Sequence, residues 1–511
     1  MPHPKKFFLF NTMSRQKEEF VPLMAEGKRN QSEDQALAQV EEKDFVGIYS
    51  CGPTVYSDPH IGNLRAYVFA DILRNVIKNI LGYPVRHVVN ITDVGHLTDD
   101  ADQGEDKIEK AAKKEKLTAW DIARKYEQNF KNYLEQLNIA PFDVMPRATE
   151  HITQQIELTK SLEEWGYTYQ TEDGVYMDTS KVPDYGKLAK LDIEGLKAWA
   201  RVDLWQKRNP TDFALWKFSP KDQKRQMERD SPWGKGFPGW HIECSAMSSY
   251  YLWKQFDIHT WGVDHIPVHH TNEIAQSECG YWVNPWVKYW MHVQFLTFKG
   301  EKASKSKGNV VTLPEIEQKG FEPLDLRYLF LTAHYRSFLD FTWEILEKAS
   351  KARKNLLKKI SKLGEDKLRE VFIDGQRGIL LEFGELKTDV ARNLYQNIES
   401  GLLDDLNTPI VLANIHKVLD NDLGLVEFEE VVRVIDFFDR GVLRLDLIKG
   451  AYEFLQKAQD IPEHIKNLAE QRWQAKQQKD WQKADELREQ IRSQGYEIMD
   501  SWDWYEIISK H

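Results

Sequence analysis

Two periods of hydrophobic residues follow one another in the stretch from Phe45 to Ile80. The first is a short apolar run, Phe45–Tyr49, which has the length of a buried strand and ends at Cys51-Gly52-Pro53. A polar loop follows, with the sequence Pro59-His60-Ile61-Gly62-Asn63. Apolar residues then recur at helical spacing, at Leu64, Val68, Ile72, Leu73, Val76, Ile77 and Ile80. The stretch therefore predicts a strand, a glycine-containing loop and a helix whose N-terminus suits a phosphate.

The same pattern alone also fits an ordinary strand–helix turn, so the fold class has to be inferred from the other predicted elements as well. Another apolar run, residues 85–93, predicts a second strand that pairs in parallel with the first through a right-handed crossover. Residues 167–235 are irregular, with short strands such as 174–178, and predict an inserted domain. Strands resume at 256–259 and 293–298. The predicted class is α/β, a Rossmann-type parallel-sheet catalytic domain with an inserted connective domain.

After about residue 313 the pattern becomes helical, and no further strand is predicted. The expected amphipathic helices are 322–333, 342–363, 379–402, 409–419, 428–438 and 449–460. They predict a C-terminal α-helical bundle. One more charged helix, from Gln471 to Gln494, is expected in the tail.

Composition narrows the class of protein. The chain has 511 residues, enough for two to four domains, and its 41% hydrophobic and 29% charged residues exclude a disordered protein. Three cysteines cannot form a disulfide framework. No apolar run reaches the length of a membrane span and FFLF is too short for a signal peptide, so we expect a cytoplasmic protein without membrane contact. The net charge of −11 excludes indiscriminate nucleic-acid coating but not local basic faces.

A lysine segment, residues 302–309 with the sequence KASKSKGN, follows a predicted strand. Small hydroxyl residues permit a tight loop, and lysines can meet the charge that develops on a transferring phosphoryl group. Alone, the segment fits a solvated basic loop better than a functional one. Together with the loop from His60 to Asn63, it predicts one site that binds the α-phosphate of ATP from two sides.

Two cysteines, a histidine and a glutamate make a candidate metal site. Cys51 ends the first strand, Cys244 lies in GWHIEC, and His269 and Glu273 are four apart, so they share a face if helical. Thiolates, an imidazole and a carboxylate suit tetrahedral zinc. Because there is no Cys-x-x-Cys pair, the spacing alone favours two core cysteines and a surface histidine pair over a metal site.

Four motifs in this order carry a resemblance: PHIGN after CGPTVY, GWHIECSAM, HHTNEIAQS and KASKSKGN. Together they resemble the cysteinyl-tRNA synthetases of class I. The resemblance runs from NTMSRQKEEF to the tail KDWQKADELREQIRSQGYEIMDS, which is similar to the family's anticodon-recognition region. It implies an ATP-dependent ligase that converts L-cysteine to cysteinyl-adenylate and esterifies it to the 3′ end of tRNA(Cys). A monomer is expected.

The resemblance also implies a role for each matching residue. One zinc ion per chain would be held by Cys51, Cys244, His269 and Glu273 and would bind the thiolate of the substrate, which it prefers to an alcohol. The amino acid would lie against Gly52, Thr92 and Trp240. The catalytic residues would be His60, Asn63, Lys302 and Lys305. ATP, accompanied by Mg²⁺, would contact His60, Gly62, Asn63, Gly262, Asp264 and Lys305.

Three positions depart from the pattern of that family. Asn63 stands where a second histidine is usual, and it keeps an N–H donor but cannot carry charge. Ala303 stands where methionine is usual, a packing change within the lysine segment. Trp261 replaces a glycine ahead of Asp264, where its ring could narrow the adenosine site.

The domain boundaries that the resemblance implies are as follows. Residues 1–140 and 231–312 form the two halves of the catalytic domain, 141–230 the inserted connective domain and 313–345 a linking stem-contact region. Residues 346–462 form the tRNA-binding helical bundle, and 463–511 the anticodon-recognition tail.

Two other functions are compatible with part of the sequence. A ligase could pass activated cysteine to a small amine, but the bundle and tail would then have no role. A non-catalytic regulator could bind tRNA or a nucleotide, but His60, Lys305 and all four metal positions are intact. A pyrophosphate-exchange assay with cysteine separates the regulator from both enzymes, and a tRNA-charging assay then separates the two enzymes.

Overall fold

A computed structural model gives the structure of residues 5–26, 45–94, 107–191, 206–219, 226–298, 300–302, 310–376, 383–459, 461–500 and 505–509. The chain divides into two compact units. One unit comprises Met1–Trp343 and Glu399–Val411, and the other comprises Glu344–Ile398 and Leu412–His511. Within the described residues, no helix is both long and apolar enough to cross a membrane.

The first unit contains most of the strands. They are β1 (Phe8–Asn11), β2 (Gln16–Glu19), β3 (Val46–Ser50), β4 (Val85–Val89), β5 (Thr168–Gln170), β6 (Gly174–Met177), β7 (Phe213–Phe218), β8 (Gly236–Pro238), β9 (Phe256–Gly262), β10 (Val287–Val293), β11 (Leu296–Phe298), β12 (Glu301–Lys302) and β13 (Leu339–Phe341). Its helices are α1 (Ile61–Asn75), α2 (Lys107–Glu115), α3 (Ala119–Gln136), α4 (Ile152–Glu164), α5 (Trp240–Leu252), α6 (Thr271–Tyr281), α7 (Leu313–Gln318) and α8 (Pro323–Leu331).

From Trp343 onward the chain is mainly helical. The helices are α9 (Trp343–Ser361), α10 (Glu365–Gln376), α11 (Asp389–Leu403), α12 (Thr408–Leu419), α13 (Leu425–Phe438), α14 (Leu447–Gln459), α15 (Glu463–Gln477) and α16 (Trp481–Ser493). An antiparallel hairpin of β14 (Tyr496–Asp500) and β15 (Tyr505–Ser509) follows.

A parallel sheet in the order β10-β9-β3-β4 organises the first unit. The chain runs from β3 through α1 to β4 and later returns to β9 on the other side of β3. Strand order therefore reverses between β3 and β9, and ligands of such sheets bind beyond the carboxyl ends of the strands at this point. The antiparallel sheet β5-β6-β7-β8 lies in the sequence between β4 and β9. The predicted α/β class is confirmed.

Helix α1 begins as the sequence pattern predicts. His60 is its N-cap, and its Nδ1 accepts a hydrogen bond from the N–H of Asn63 (3.3 Å). The Asn63 side chain in turn accepts from the N–H of His60 (3.2 Å), which completes a capping box. Asn63 therefore has a structural role at the position where the related family carries histidine.

Short strands and a broken helix are where the prediction from the sequence was wrong. Strands do occur after residue 313, since β13 pairs with β11 and the tail ends in a hairpin. Strands of three to five residues are too short to show a reliable period of two. The tail has two helices in place of the single one from Gln471 to Gln494, because Lys479 has a φ of 61° and Asp480 caps α16. Helix α10 was not predicted.

Helix α1 is tied to α8 by an ion pair that is closed to solvent. Asp71 accepts a hydrogen bond from the guanidinium of Arg327 at 2.6 Å, and both side chains are fully buried. The other carboxylate oxygen of Asp71 accepts from the N–H of Ala140 (3.0 Å), and Arg327 donates to the carbonyl of Leu137 (2.9 Å). These bonds replace much of the water that both charges lose on burial.

Removing one partner of this pair should be costly. Asp71→Ala leaves the charge of Arg327 buried without its carboxylate, so we expect the free energy of unfolding in urea to fall by about 3–5 kcal/mol. As a control, Lys17→Ala removes an exposed ion pair with Asp404 and should cost less than about 1 kcal/mol. Equal losses for the two variants would contradict the role given to burial.

Gly52 is required where the ends of β3 and β4 come together. A Cβ atom at this position would lie 1.4 Å from the carbonyl oxygen of Asn90, which is a backbone atom and cannot turn aside. The N–H of Gly52 also donates to the Asn90 side chain at 2.7 Å.

Gly52→Ala should therefore separate these segments and destabilise the first unit. We expect a loss of about 1–3 kcal/mol or more, measured as a lower midpoint of thermal unfolding. Gly384→Ala is the control, because a Cβ there meets no atom within 4 Å. An unchanged midpoint in Gly52→Ala would show that the two segments are not held at this distance.

Candidate functional site

Four side chains with metal-binding atoms converge at the carboxyl end of β3. Cys51 directly follows β3, and Cys244 lies in the second turn of α5. His269 belongs to a single π-helical turn, Ile266–His270, that leads into α6, and Glu273 lies in the first turn of α6. Such π-turns are frequent at functional sites because they change the direction of side chains within a helix.

The donor atoms of these four residues all lie within 4.8 Å of one another. Each residue is at most 3% exposed. The Nε2 of His269 and the Oε1 of Glu273 are 2.6 Å apart but lack the geometry of a hydrogen bond, so neither has a hydrogen-bond partner among the described residues. Two buried polar atoms without hydrogen bonds, beside two thiols, are what a set of metal ligands requires. The chemistry of the set fits a divalent metal.

A second group of donors overlaps the first. Cys51 and Glu273 also lie within this distance of His259 and His270. In this group, however, the Nε2 of His259 is hydrogen-bonded to Glu273 (2.8 Å), and the Nε2 of His270 lies 3.5 Å from the thiol of Cys51. These ring nitrogens are already engaged, so the first group is the better metal site.

Electrostatics prepares the first group for a cation. Burial alone would raise the pKa of Cys244, but a hydrogen bond with Cys51 and the nearby His269 bring it below its usual value. Burial and the neighbouring Cys244 raise the pKa of Cys51. Burial would also raise the pKa of Glu273, yet His269 and His259 lower it to about 2. Glu273 is thus favoured as a carboxylate in this pocket, which is the form that binds metals.

Histidines surround these four residues, and the sequence pattern did not single them out as a group. His241 lies 2.8 Å from His269, ring nitrogen to ring nitrogen. On the other side, His270 and His292 are linked at 2.8 Å, and His292 reaches the hydroxyl of Thr12 at 2.8 Å. The available signal was that β9 and β10 each carry a histidine among apolar residues. Burial lowers the pKa of His270 well below its usual value, so its ring is neutral.

The three residues expected to contact the amino acid lie around the same four donors. Asn90, which the sequence analysis did not select, connects them. Its side chain accepts from the N–H of Gly52 and donates to the hydroxyl of Thr92 (3.1 Å). The Thr92 hydroxyl donates to Glu243, the neighbour of Cys244 in the chain (3.0 Å). The ring of Trp240 lies against that of His269, with centroids 4.3 Å apart.

The proposed phosphate-binding motif lies at the N-terminus of α1, next to the end of the lysine segment. His60 forms an antiparallel bridge with Thr312, and the N–H of Ile61 donates to the carbonyl of Val311 (2.9 Å). Gly62 lies beneath the ring of His60, which a Cβ would approach to 2.9 Å. At the other end of the segment, Lys302 pairs with Thr297 of β11. Lys305 and Ala303 lie outside the described residues.

Gly262 is the last residue of β9, and Asp264 lies two residues further along the chain. A Cβ at Gly262 would meet a carboxylate oxygen of Asp264 at 2.4 Å. The side chain of Asp264 is exposed. Trp261 is 7% exposed, and its ring meets the edge of Tyr67 at 5.0 Å, so it packs into the core between α1 and β9. The Tyr67 hydroxyl donates to the carbonyl of Cys51 (3.2 Å), which links α1 to the four donors.

Solved structures share this fold. A methionyl-tRNA synthetase from Mycobacterium tuberculosis in complex with methionyl-adenylate matches 80% of this chain and 92% of its own, with a TM-score of 0.51 and 16% identity. LeuRS from Agrobacterium radiobacter K84, in a ternary complex with tRNA, matches 81% of this chain and 86% of its own, with a TM-score of 0.55 and 11% identity. At these identities the likeness concerns the fold alone.

Sequence comparison is more specific. Residues 37–351 match the model for the family described as tRNA synthetases class I (C) catalytic domain. Cysteine–tRNA ligase 1 from Burkholderia lata is 47% identical over 457 residues, which cover 89% of this chain and 91% of that protein. Cysteine–tRNA ligase from Treponema denticola is 41% identical over 502 residues, 96% of this chain and 97% of that protein. The resemblance found in the motifs is confirmed, and the chain belongs to the cysteine–tRNA ligase family of class I aminoacyl-tRNA synthetases.

Proposed function

We propose that this protein activates L-cysteine with ATP and transfers it to the 3′ end of tRNA(Cys). An oxygen of the cysteine carboxylate attacks the α-phosphorus of ATP, and pyrophosphate leaves. A hydroxyl of the terminal ribose of tRNA(Cys) then attacks the carbonyl carbon, and AMP leaves. The observation that carries the proposal is the buried set of Cys51, Cys244, His269 and Glu273, next to residues that can hold an amino acid.

The proposed metal is one zinc ion, held by those four side chains. Two thiolates, an imidazole and a carboxylate are a zinc donor set, and the fold buries all four side chains together. Zinc bound there would recognise the substrate by its thiol, because it prefers a soft sulfur ligand to the hydroxyl of serine. Gly52, Thr92 and Trp240 are proposed to orient the rest of the amino acid. Asn90 supports them through its bonds to Gly52 and Thr92.

ATP is proposed to lie at the N-terminus of α1, with Mg²⁺ on its phosphates. His60, Gly62 and Asn63 would meet the phosphates, and the dipole of the helix favours the negative charge there. Lys302 and Lys305 are proposed to stabilise the charge on the leaving pyrophosphate. The bridge between His60 and Thr312 supports this, because Thr312 follows the lysine segment closely in the chain. Gly262 and Asp264 are proposed contacts of the adenosine. The proposed location is the cytoplasm, and the proposed form a monomer.

The tail is proposed to read the anticodon. Helices α15 and α16 and the hairpin share a small core of Ile465, Ala469, Ile491 and Ile498. Arg472 is excluded as an RNA contact because its side chain is buried and binds Asp500 through two bonds of 2.6 Å. Trp481, by contrast, is 59% exposed between the exposed Lys479 and Lys483. Aromatic rings flanked by basic residues bind unpaired bases by stacking.

The zinc proposal has a direct test in two single cysteine variants. The purified protein should hold one zinc per chain, and Cys244→Ser should lose it together with most cysteine-dependent pyrophosphate exchange. Cys279→Ser is the matched control, because Cys279 is buried but packs against Leu158 and Leu162, away from the donor set. It should keep both metal and activity. Full zinc content and activity in Cys244→Ser would overturn the ligand assignment.

The tRNA proposal is tested by ending the chain after residue 462. Since the core of the tail is made of its own residues, its removal should leave the remainder folded. Cysteine-dependent pyrophosphate exchange should therefore persist, while charging of tRNA(Cys) falls steeply. In the full chain, Trp481→Ala should raise the KM for tRNA by about tenfold, in the range of one lost base stack.

Three outcomes would count against the proposal. Absence of exchange in the full chain would favour a non-catalytic protein. Exchange without charging of any tRNA would favour a small amine as the acceptor. Equal loss of exchange and charging on truncation would mean that the tail supports the fold and does not read the anticodon.

A further inference from the structure

Arg65 is a buried cation on α1, one turn beyond the proposed phosphate-binding loop. It is 3% exposed. Its guanidinium donates to four backbone carbonyls, those of Gln294 (2.9 Å), Phe295 (3.2 Å), His334 (3.1 Å) and Ser337 (2.9 Å). Burial lowers its pKa to about 10, so the side chain remains charged at neutral pH. Because every hydrogen bond described for this charged group ends on a carbonyl, the arrangement fixes backbone positions.

The four carbonyls belong to two segments that lead into one small sheet. Gln294 and Phe295 directly precede β11, and His334 and Ser337 lie in the turn before β13. These two strands pair in parallel, and β11 also pairs with β12, which ends at Lys302. The lysine segment therefore leaves a sheet whose two longer strands are both anchored, at their N-terminal ends, to one side chain of α1.

The same helix also pairs with the chain that follows the lysine segment. His60, the N-cap of α1, pairs with Thr312, which follows that segment. Described residues on both sides of the lysine segment are thus held to α1, those after it by backbone pairing at His60 and those before it through Arg65. A planar guanidinium can hold two pairs of carbonyls at fixed angles, whereas the ammonium of lysine cannot reproduce this fork.

We propose that Arg65 is a positioning residue for adenylate formation, which holds the base of the lysine segment in register with the N-terminus of α1. It touches neither ATP nor cysteine and acts through Lys305. The inference rests on the proposed function and deepens it. Adenylate formation depends on this register, because the lysines must meet the charge that develops on the phosphates. Transfer of cysteine from the finished adenylate to tRNA does not need it.

The test compares Arg65→Lys with Arg74→Lys in the full-length holoenzyme. Arg74 is a matched control: it is buried on the same helix, but its bonds go to Ala140, Pro141 and Asp143. Arg65→Lys should lower kcat for cysteine-dependent pyrophosphate exchange by at least about tenfold, since small misplacements cost up to about a hundredfold. The KM for cysteine and the single-turnover rate of transfer from preformed adenylate should stay within about threefold. Arg74→Lys should leave both steps nearly unchanged.

A double-mutant cycle with Lys305→Ala tests whether the effect of Arg65 on adenylate formation depends on Lys305. If Arg65 acts through Lys305, then Arg65→Lys should cost less than about threefold in the Lys305→Ala background. The midpoint of thermal unfolding is measured for every variant.

The inference is overturned if the losses from Arg65→Lys and Lys305→Ala simply multiply, or if both steps fall in parallel with the unfolding midpoint. If Lys305→Ala itself leaves exchange intact, the proposed role of the lysine segment fails, and the positioning role fails with it. Strong loss in Lys305→Ala with independent effects of Arg65→Lys leaves the proposed function standing and rejects only the positioning.

Discussion

The burial of four ionisable donors at one point of the sheet is the constraint on which the rest of the site depends. Thiolates and carboxylates that lose water need a compensating charge, or they destabilise the fold. Here the donors of Cys51, Cys244, His269 and Glu273 share one enclosed space, and two of their atoms have no hydrogen bond among the described residues. A bound cation would resolve this conflict. The proposed metal would therefore stabilise the site as well as recognise the substrate.

The backbone around the donors is tightly constrained. Gly52 leaves no room for a Cβ against Asn90, and His269, in the π-turn Ile266–His270, lies 2.6 Å from Glu273. Burial lowers the pKa of His270 and His292, so their rings are neutral and do not compete with a metal for the carboxylate of Glu273. Recognition of the substrate through its sulfur atom, as proposed, would separate cysteine from serine. Cysteine and serine differ little in size, and apolar pockets discriminate such pairs only by about 10–200-fold.

The sequence predicted the central sheet of this molecule better than its short strands and its C-terminal tail. Hydrophobic patterns that extend over many residues, such as the strand–loop–helix from Phe45 to Ile80, predicted the α/β class. They are reliable because several apolar residues in succession follow the same spacing. The tail helix from Gln471 to Gln494 was wrongly joined, since the backbone of Lys479 adopts a left-handed conformation that composition does not reveal. The four candidate ligands were found through motifs and not through spacing. Asn90, Arg65 and the histidines were missed, because their roles depend on partners far away in the chain.

Recognition of cysteine through its sulfur is the central claim, and X-ray absorption at the zinc K-edge tests it most directly. The protein alone should show two sulfur ligands at zinc, from Cys51 and Cys244. Addition of L-cysteine should raise the number to three, while L-serine should leave it at two. An unchanged shell with saturating cysteine, or the absence of zinc from the fully active protein, would contradict the account.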